Sequence, residues 1–160
     1  DAQITIDRVQ LEPVWAGLWH GELHLRRIVL ATLDITLDGA DSAPLDPANL
    51  RAPVLPTIRL PVSIRVDALL VEALRVKQRG ESVFDGHLAA VLAADEAGLN
   101  LSSLSMSGTP WRVQARGFLP FTPQGALQWQ TDWARVDDAE PLAGELKLAG
   151  RLEKIEFEHR

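Results

Sequence analysis

Apolar and polar residues alternate along much of the chain. The alternation is strictest from Ile58 to Asp67, where Ile58, Leu60, Val62, Ile64 and Val66 are separated by Arg59, Pro61, Ser63 and Arg65. A period of two puts those five apolar side chains on one face of a strand and leaves Arg59, Ser63 and Arg65 facing solvent. Weaker alternation marks Ile4–Ile6, Leu23–Leu25, Leu99–Leu101, Trp111–Ala115, Leu127–Trp133 and Leu146–Leu148. The spacing predicts about nine to twelve short strands.

A second regularity interrupts the first. The pattern apolar-x-x-apolar-x-apolar recurs at Ile6–Leu11, Leu25–Leu30, Leu30–Ile35, Val66–Val71, Val71–Val76, Leu101–Met106 and Leu152–Phe157. Each copy holds one residue more than plain alternation allows. A β-bulge needs that extra residue: the strand bends and its apolar side chains return to the same face. Repeated bends curve a sheet strongly. Spacings of three and five also fit an amphipathic helix in part, but flanking alternation and frequent β-branched residues favour strands.

The stretch 38–57 differs. It contains Asp38, Gly39, Asp41, Ser42, Pro44, Pro47, Pro53 and Pro56 and reads as a long Pro-rich loop, with a helical turn at Pro47–Leu50. Further turns are predicted at Arg79-Gly80, Glu96–Gly98, Gly108–Pro110, Pro120–Gly125 and Asp137–Pro141. No segment has the pattern of a long amphipathic helix, so helices cannot cover the apolar face. Either the sheet folds over itself as a closed sandwich, or it folds partway and leaves a trough for an apolar ligand.

Should a trough form, its predicted lining begins with Ile4, Ile6, Leu23, Leu25, Ile28 and Leu30. The central stretch adds Ile58, Leu60, Val62, Ile64, Val66, Leu69 and Val71, then Leu99, Leu101, Leu104 and Met106. The last third supplies Val113, Leu127, Trp129, Leu146, Leu148, Ile155 and Phe157. The other tryptophans, Trp15, Trp19, Trp111 and Trp133, are read as core-packing residues, with the wet edge of the trough, ring buried and N–H partnered, as the alternative.

Composition narrows the function. The 160 residues are enough for one domain, and 46% apolar with 24% charged content is that of a folded protein. A net charge of −6 argues against nucleic acid and against electrostatic docking on an anionic membrane. Cysteine is absent, which removes disulfides, thiolate metal sites and thiol catalysis. No apolar run has the length of a transmembrane helix, no signal peptide is present, and the chain reads as one segment, 1–160, of a longer protein.

Candidate chemistry is sparse. His20 and His24 are read on one strand, too far apart for one metal ion, and His87 and His159 as surface residues. Asp137, Asp138 and Glu140 form an acidic turn without the ligand spacing of a calcium loop, and Asp95-Glu96 reads the same way. Ser102, Ser103, Ser105 and Ser107 lie on a predicted strand without a nucleophile elbow. Phosphate-loop and dinucleotide motifs are missing. The expectation is no enzyme, no cofactor and no metal.

The run Leu11-Glu12-Pro13-Val14-Trp15-Ala16-Gly17-Leu18-Trp19-His20-Gly21-Glu22-Leu23-His24-Leu25-Arg26-Arg27-Ile28 adds a family resemblance. With the Pro-rich stretch, Leu60-Pro61-Val62-Ser63-Ile64-Arg65-Val66-Asp67-Ala68-Leu69, Trp111–Gly117, Ala126–Trp129 and Leu142–Gly150, it resembles the AsmA-like bridge-forming lipid transporters, in particular the TamB branch after its membrane anchor. The resemblance runs over nearly the whole chain and lies in the order and spacing of short motifs. It implies an all-β, strongly curved, mainly antiparallel sheet rolled into a half-pipe, or β-taco, with an apolar interior. It implies a periplasmic segment of a protein anchored in the Gram-negative inner membrane, conducting phospholipid acyl chains towards the outer membrane. It also implies a link to outer-membrane β-barrel assembly with TamA, which would bind outside this chain. The family brings no catalytic residues.

The competing expectations are a scaffold for outer-membrane proteins acting through sheet edges, and a closed sandwich that is only a spacer. Ala2–Arg8 and Leu152–His159 both read as strands, so edge-to-edge self-association of the isolated chain is expected as well.

Overall fold

The computed structural model describes residues 2–37, 60–122, 124–137, 142–151 and 154–159. Within them the chain forms nine strands: β1 (Ala2–Val14), β2 (Glu22–Leu37), β3 (Ser63–Gln78), β4 (Glu81–Ala94), β5 (Gly98–Thr109), β6 (Trp111–Pro120), β7 (Ala126–Arg135), β8 (Ala143–Arg151) and β9 (Lys154–His159). A 3₁₀ turn, Trp15–His20, joins β1 to β2, and no α-helix occurs among the described residues. The strands make one sheet in sequence order, β1 to β9, and the sheet is not closed. Substantial contact among described elements is limited to sheet neighbours and to the 3₁₀ turn on β2.

The extra residues of the second sequence pattern appear directly in the register. β3 advances from Val66 to Leu69 while its partner β4 retreats only from Leu92 to Ala90. The same mismatch recurs as Val71 to Leu74 meets Leu88 to Gly86. On β5, Leu101 to Leu104 meets Gly117 to Ala115 of β6. At these three places β4 and β6 advance by two, so each bulge lies on one strand of its pair, whereas the shift at Val76–Lys77 puts the extra residue, Val83, on β4. Where β2 meets β3 the insertions match instead: Leu25 and Val66 are partners, then Ile28 and Leu69, Leu30 and Val71, Leu33 and Leu74. β1 keeps the same step, pairing Ile6 with Leu33 and Val9 with Leu30 around Arg8, whose φ is 46°. The pattern in Leu152–Phe157 lies partly outside the described residues.

One pairing has no counterpart in the sequence reading. β2 and β3 are parallel, and all other neighbours are antiparallel. A parallel pair needs a connection that returns along the strands rather than a tight turn. The long interval between Leu37 and Ser63 meets that need. The predicted loop at 38–57 and the residues Ile58 and Arg59 lie outside the described residues.

The strand expected from Ile58 to Asp67 is corrected at its start. β3 begins at Ser63; Leu60, Pro61 and Val62 precede it, and Val62 is exposed. The reason is loss of a partner. Ser63 pairs with Glu22, the first residue of β2, and the Ser63 N–H reaches Gly21 O at 3.0 Å. Beyond Gly21 the neighbouring chain turns away, and Pro61 has no N–H to donate. The predicted turn at 79–80 falls between strands; those at 96–98, 108–110 and 120–125 overlap strand ends, since Gly98, Gly108, Thr109 and Pro120 belong to β5 and β6, and the turn at Asp137–Pro141 lies largely outside the described residues. Arg79 and Gly80 both have positive φ, 54° and 84°, as a tight hairpin twisted like its strands requires.

Register sorts the side chains, because direct cross-strand partners point to the same side. Val66, Leu69, Val71, Leu74 and Val76 of β3 share a face with Leu92, Ala90, Leu88, Gly86 and Phe84 of β4. On the other side lie Arg65, Arg75, Asp85, Ser105, Gln114 and Asp132. One face therefore gathers most of the large aliphatic residues of β2 to β5, and the other mixes polar residues with Val29, Leu70, Ala89 and Val91.

Candidate functional site: the apolar face

The middle of the apolar face is packed. Val71, Leu74 and Phe84 form one buried cluster, flanked by Leu30, Leu33, Ile35, Val76, Leu88, Met106 and Trp111. Ala90, Leu101 and Ala115 form a second, flanked by Leu69, Leu88, Leu92, Leu104 and Trp129. Val71 is only 3% exposed. Full burial of such a side chain contributes about 1.5–3 kcal/mol, so these two clusters carry much of the sheet's stability. Towards the β1 edge the face opens: Ile4, Ile6, Val9 and Leu11 are each more than half exposed.

Most of the predicted lining falls on this face. Ile4 and Ile6 pair with Ile35 and Leu33, and Leu23, Leu25, Ile28 and Leu30 pair with Ile64, Val66, Leu69 and Val71. Leu99, Leu101, Leu104 and Met106 follow opposite β4, and Val113, Leu127, Trp129, Leu146 and Leu148 continue it through β6 to β8. Leu60 and Val62 stand apart, before β3. Ile155 and Phe157 are the backbone partners of Gly150 and Leu148, and their side chains lie outside the described set, as does Ile58.

The sequence reading passed over β4. Phe84, Leu88, Ala90 and Leu92 stand at the centre of the face. Their alternation is hidden because Ala89, Val91 and Ala93 occupy the opposite side of the same strand. A small-residue signal was present: Gly86 pairs with Gly108, and a Cβ on Gly86 would meet Ser107 O, the Gly108 Cα at 2.6 Å and the Phe84 ring at 2.9 Å. The two backbones approach closely beneath the Phe84 ring.

Aromatic groups replace aliphatic ones towards the last strands. Trp111 and Trp133 meet edge to face with centroids 5.9 Å apart, His159 stacks on Trp133, and the Arg135 guanidinium lies 5.8 Å above Trp111. Arg135 is held by two bonds to Asp137, at 2.7 and 2.8 Å, and its pKa is raised by that partner. Trp129 Nε1 donates to Thr131 Oγ1 at 2.8 Å. The polar atoms at this end are thus tied to one another.

The opposite face carries ladders of polar contacts. Arg116 donates to Gln130, which donates to Glu145, which pairs with Lys147. Open hollows of about 600 and 480 Å³ lie over these side chains, lined by Asn100, Ser102, Gln114, Arg116, Gln130 and Asp132 among others. Leu101, Trp129 and Leu148 of the predicted lining also border the first hollow, and Leu104 the second. Ser102 and Ser103 border them with no histidine among the lining residues. No group of three metal-ligating side chains occurs among the described residues.

His24 has a structural partner. Its Nε2 donates to Asp67 Oδ2 at 2.7 Å, and Arg65 Nε donates to Asp67 Oδ1 at 2.9 Å. Asp67 is one of the extra residues between Val66 and Leu69, so the contact holds a bulge on the polar side. His20 is not on the same strand as the sequence reading had it; it ends the 3₁₀ turn, where the left-handed Gly21 (φ 71°) stops the strand pattern. The bond from His24, then that from Arg65, lowers the Asp67 pKa. A lowered carboxylate pKa stabilises the fold above the unfolded value, near pH 4, and that contribution is lost as pH falls through the folded value. Thermal melts from pH 6 downwards are expected to fall more steeply for the wild type than for Asp67→Asn, the curves converging once the pH is below the lowered folded value. Parallel curves would show that the Asp67 contacts add nothing to the fold.

Comparison of the chain with protein-family models, curated proteins and solved structures finds no match.

Proposed function

We propose that this chain is a segment of an inner-membrane-anchored bridge of the AsmA-like, TamB-type kind, whose apolar face carries phospholipid acyl chains across the periplasm. The observation that carries the reading is a single nine-stranded, unclosed sheet whose register gathers large aliphatic residues on one face. A face of that extent is stable in water only if something apolar covers it or if it curls upon itself. The burial of Val71, Leu74, Phe84 and Leu101 in a chain whose described strands form one sheet supports a sheet curled about its apolar side. The repeated bulges on β3 and β5 supply the means.

The chemistry is then transfer by burial. Each acyl methylene removed from water contributes about 0.8 kcal/mol. A row of near-equivalent aliphatic residues offers a tail many positions of similar energy, so it can slide. The head group stays in solvent at the open side. This reading needs no catalytic residue, metal or cofactor in the chain. The half-exposed β1 edge favours a second reading, a scaffold that adds strands from outer-membrane proteins, because its backbone pairs on one side only.

Native mass spectrometry of gently purified protein tests the first reading, together with photoreactive residues placed singly at Leu104 on the apolar face and Gln114 on the polar face. Co-purified phospholipid with crosslinks at Leu104 is the expected result. A lipid-free protein, or equal crosslinking at both positions, would overturn it.

A further inference from the structure

We infer that the Trp15–His20 turn is a docking tip that inserts into the headgroup region of a lipid bilayer. Trp19 is 90% exposed and Trp15 68%, and Leu18 between them is nearly half exposed. From Pro13 to Gly21 the chain carries no Asp, Glu, Lys or Arg, although charged residues make up 24% of the whole. His20 is turned back on the turn itself, with Nδ1 3.2 Å from Ala16 O.

The turn is seated rather than loose. A Cβ on Gly17 would meet Glu22 O at 2.8 Å and the His24 Cβ at 3.3 Å, so only glycine lets the backbone lie this close to the start of β2. Gly21 closes the turn with its N–H on Leu18 O at 3.1 Å, and its own carbonyl accepts from Ser63. The tip's closing backbone groups are therefore satisfied before it meets any surface. That arrangement presents two indoles and a leucine at small entropic cost.

Size selects the occupant. Three such side chains offer roughly 500 Å² at most, short of the ~800 Å² per partner of a stable protein interface. A bilayer interface demands no shape complementarity, and tryptophan prefers its headgroup level, ring in the apolar zone and N–H in the wet one. With a net charge of −6 and no basic residue in the tip, attraction to anionic lipid is not the driving force. The inference stands without the lipid-transfer reading; only the corollary, that the tip brings one end of the apolar face to a lipid source, rests on it.

Flotation of the whole chain with vesicles decides the matter. Two compositions are used: phosphatidylcholine alone, and phosphatidylcholine with phosphatidylglycerol. The wild type is expected to float with both. Trp15→Gln/Trp19→Gln is expected to lose about tenfold or more of the floated fraction with an unchanged melting temperature. Should the double variant melt early, Trp19→Gln alone, at the most exposed position, must still reduce flotation. A wild type that stays unbound, one that floats only with anionic vesicles, or an undiminished Trp19→Gln variant would overturn the inference. So would self-association without vesicles that Trp19→Gln abolishes, since the tip would then bind a second copy. Native mass spectrometry of the Trp15→Gln/Trp19→Gln protein separates the two proposals: retained phospholipid with lost flotation marks a tip distinct from the acyl-chain face.

Discussion

Replacing Leu101 by arginine is expected to unfold the sheet, while replacing Ile64 by aspartate is expected to leave it folded and unable to hold an acyl chain. From the sequence both positions look equivalent, each an apolar residue of an alternating strand. Their surroundings differ. Leu101 is buried with Ala90 and Ala115 in the middle of the apolar face, hemmed in by Leu92, Leu104 and Trp129. A guanidinium there loses its water without gaining a partner, and such changes cost about 4 kcal/mol or more. Ile64 is the second residue of β3, half-buried at the end of the strand beside Leu23 and Ala94. A carboxylate at that place reaches solvent, for a cost of about 1–2 kcal/mol. It would nevertheless set a charge in the path proposed for the tails. Urea unfolding measures the first effect, and photocrosslinking with a diazirine acyl chain measures the second. An Ile64→Asp protein that folds and crosslinks as well as the wild type would remove the acyl chain from this face.

Gly86→Val is expected to cost about 3 kcal/mol or more, as an overpacking substitution with no room to relax. Gly86 and Gly108 are direct partners on neighbouring strands, and an added Cβ would strike the Ser107 carbonyl and the Gly108 Cα. Backbone atoms on both sides of the contact cannot swing away as a side-chain tip can. The Phe84 ring, which covers the glycine pair, would also have to leave the Val71–Leu74 cluster. His87→Val, one residue along and exposed on the other face, is the control and should change stability by less than about 0.5 kcal/mol. Equal effects at the two positions would mean that the strands do not approach closely at Gly86.

What the sequence determined by itself was whatever depends on period. Alternation marked the strands, and the inserted residues of Val66–Val71, Val71–Val76 and Leu101–Met106 marked the bulges, because side-chain direction along a strand is a local property. The lining was legible on β2, β3 and β5, where large aliphatic residues face small or polar ones. It was illegible on β4, since Ala89, Val91 and Ala93 make both faces of that strand look apolar to a periodic reading. Exposure of Trp15 and Trp19 was equally hidden: an indole reads as core until the neighbours that might cover it are placed. The tertiary structure alone decided three things. It set β3 parallel to β2, which starts β3 at Ser63, where Glu22 first offers a partner. It brought His24, Arg65 and Asp67 together from two strands distant in sequence. It joined the described strands into one unclosed sheet in sequence order. Each is a relation between segments far apart in the chain, and the period of one strand carries no information about which other strand lies beside it or whether any lies above it.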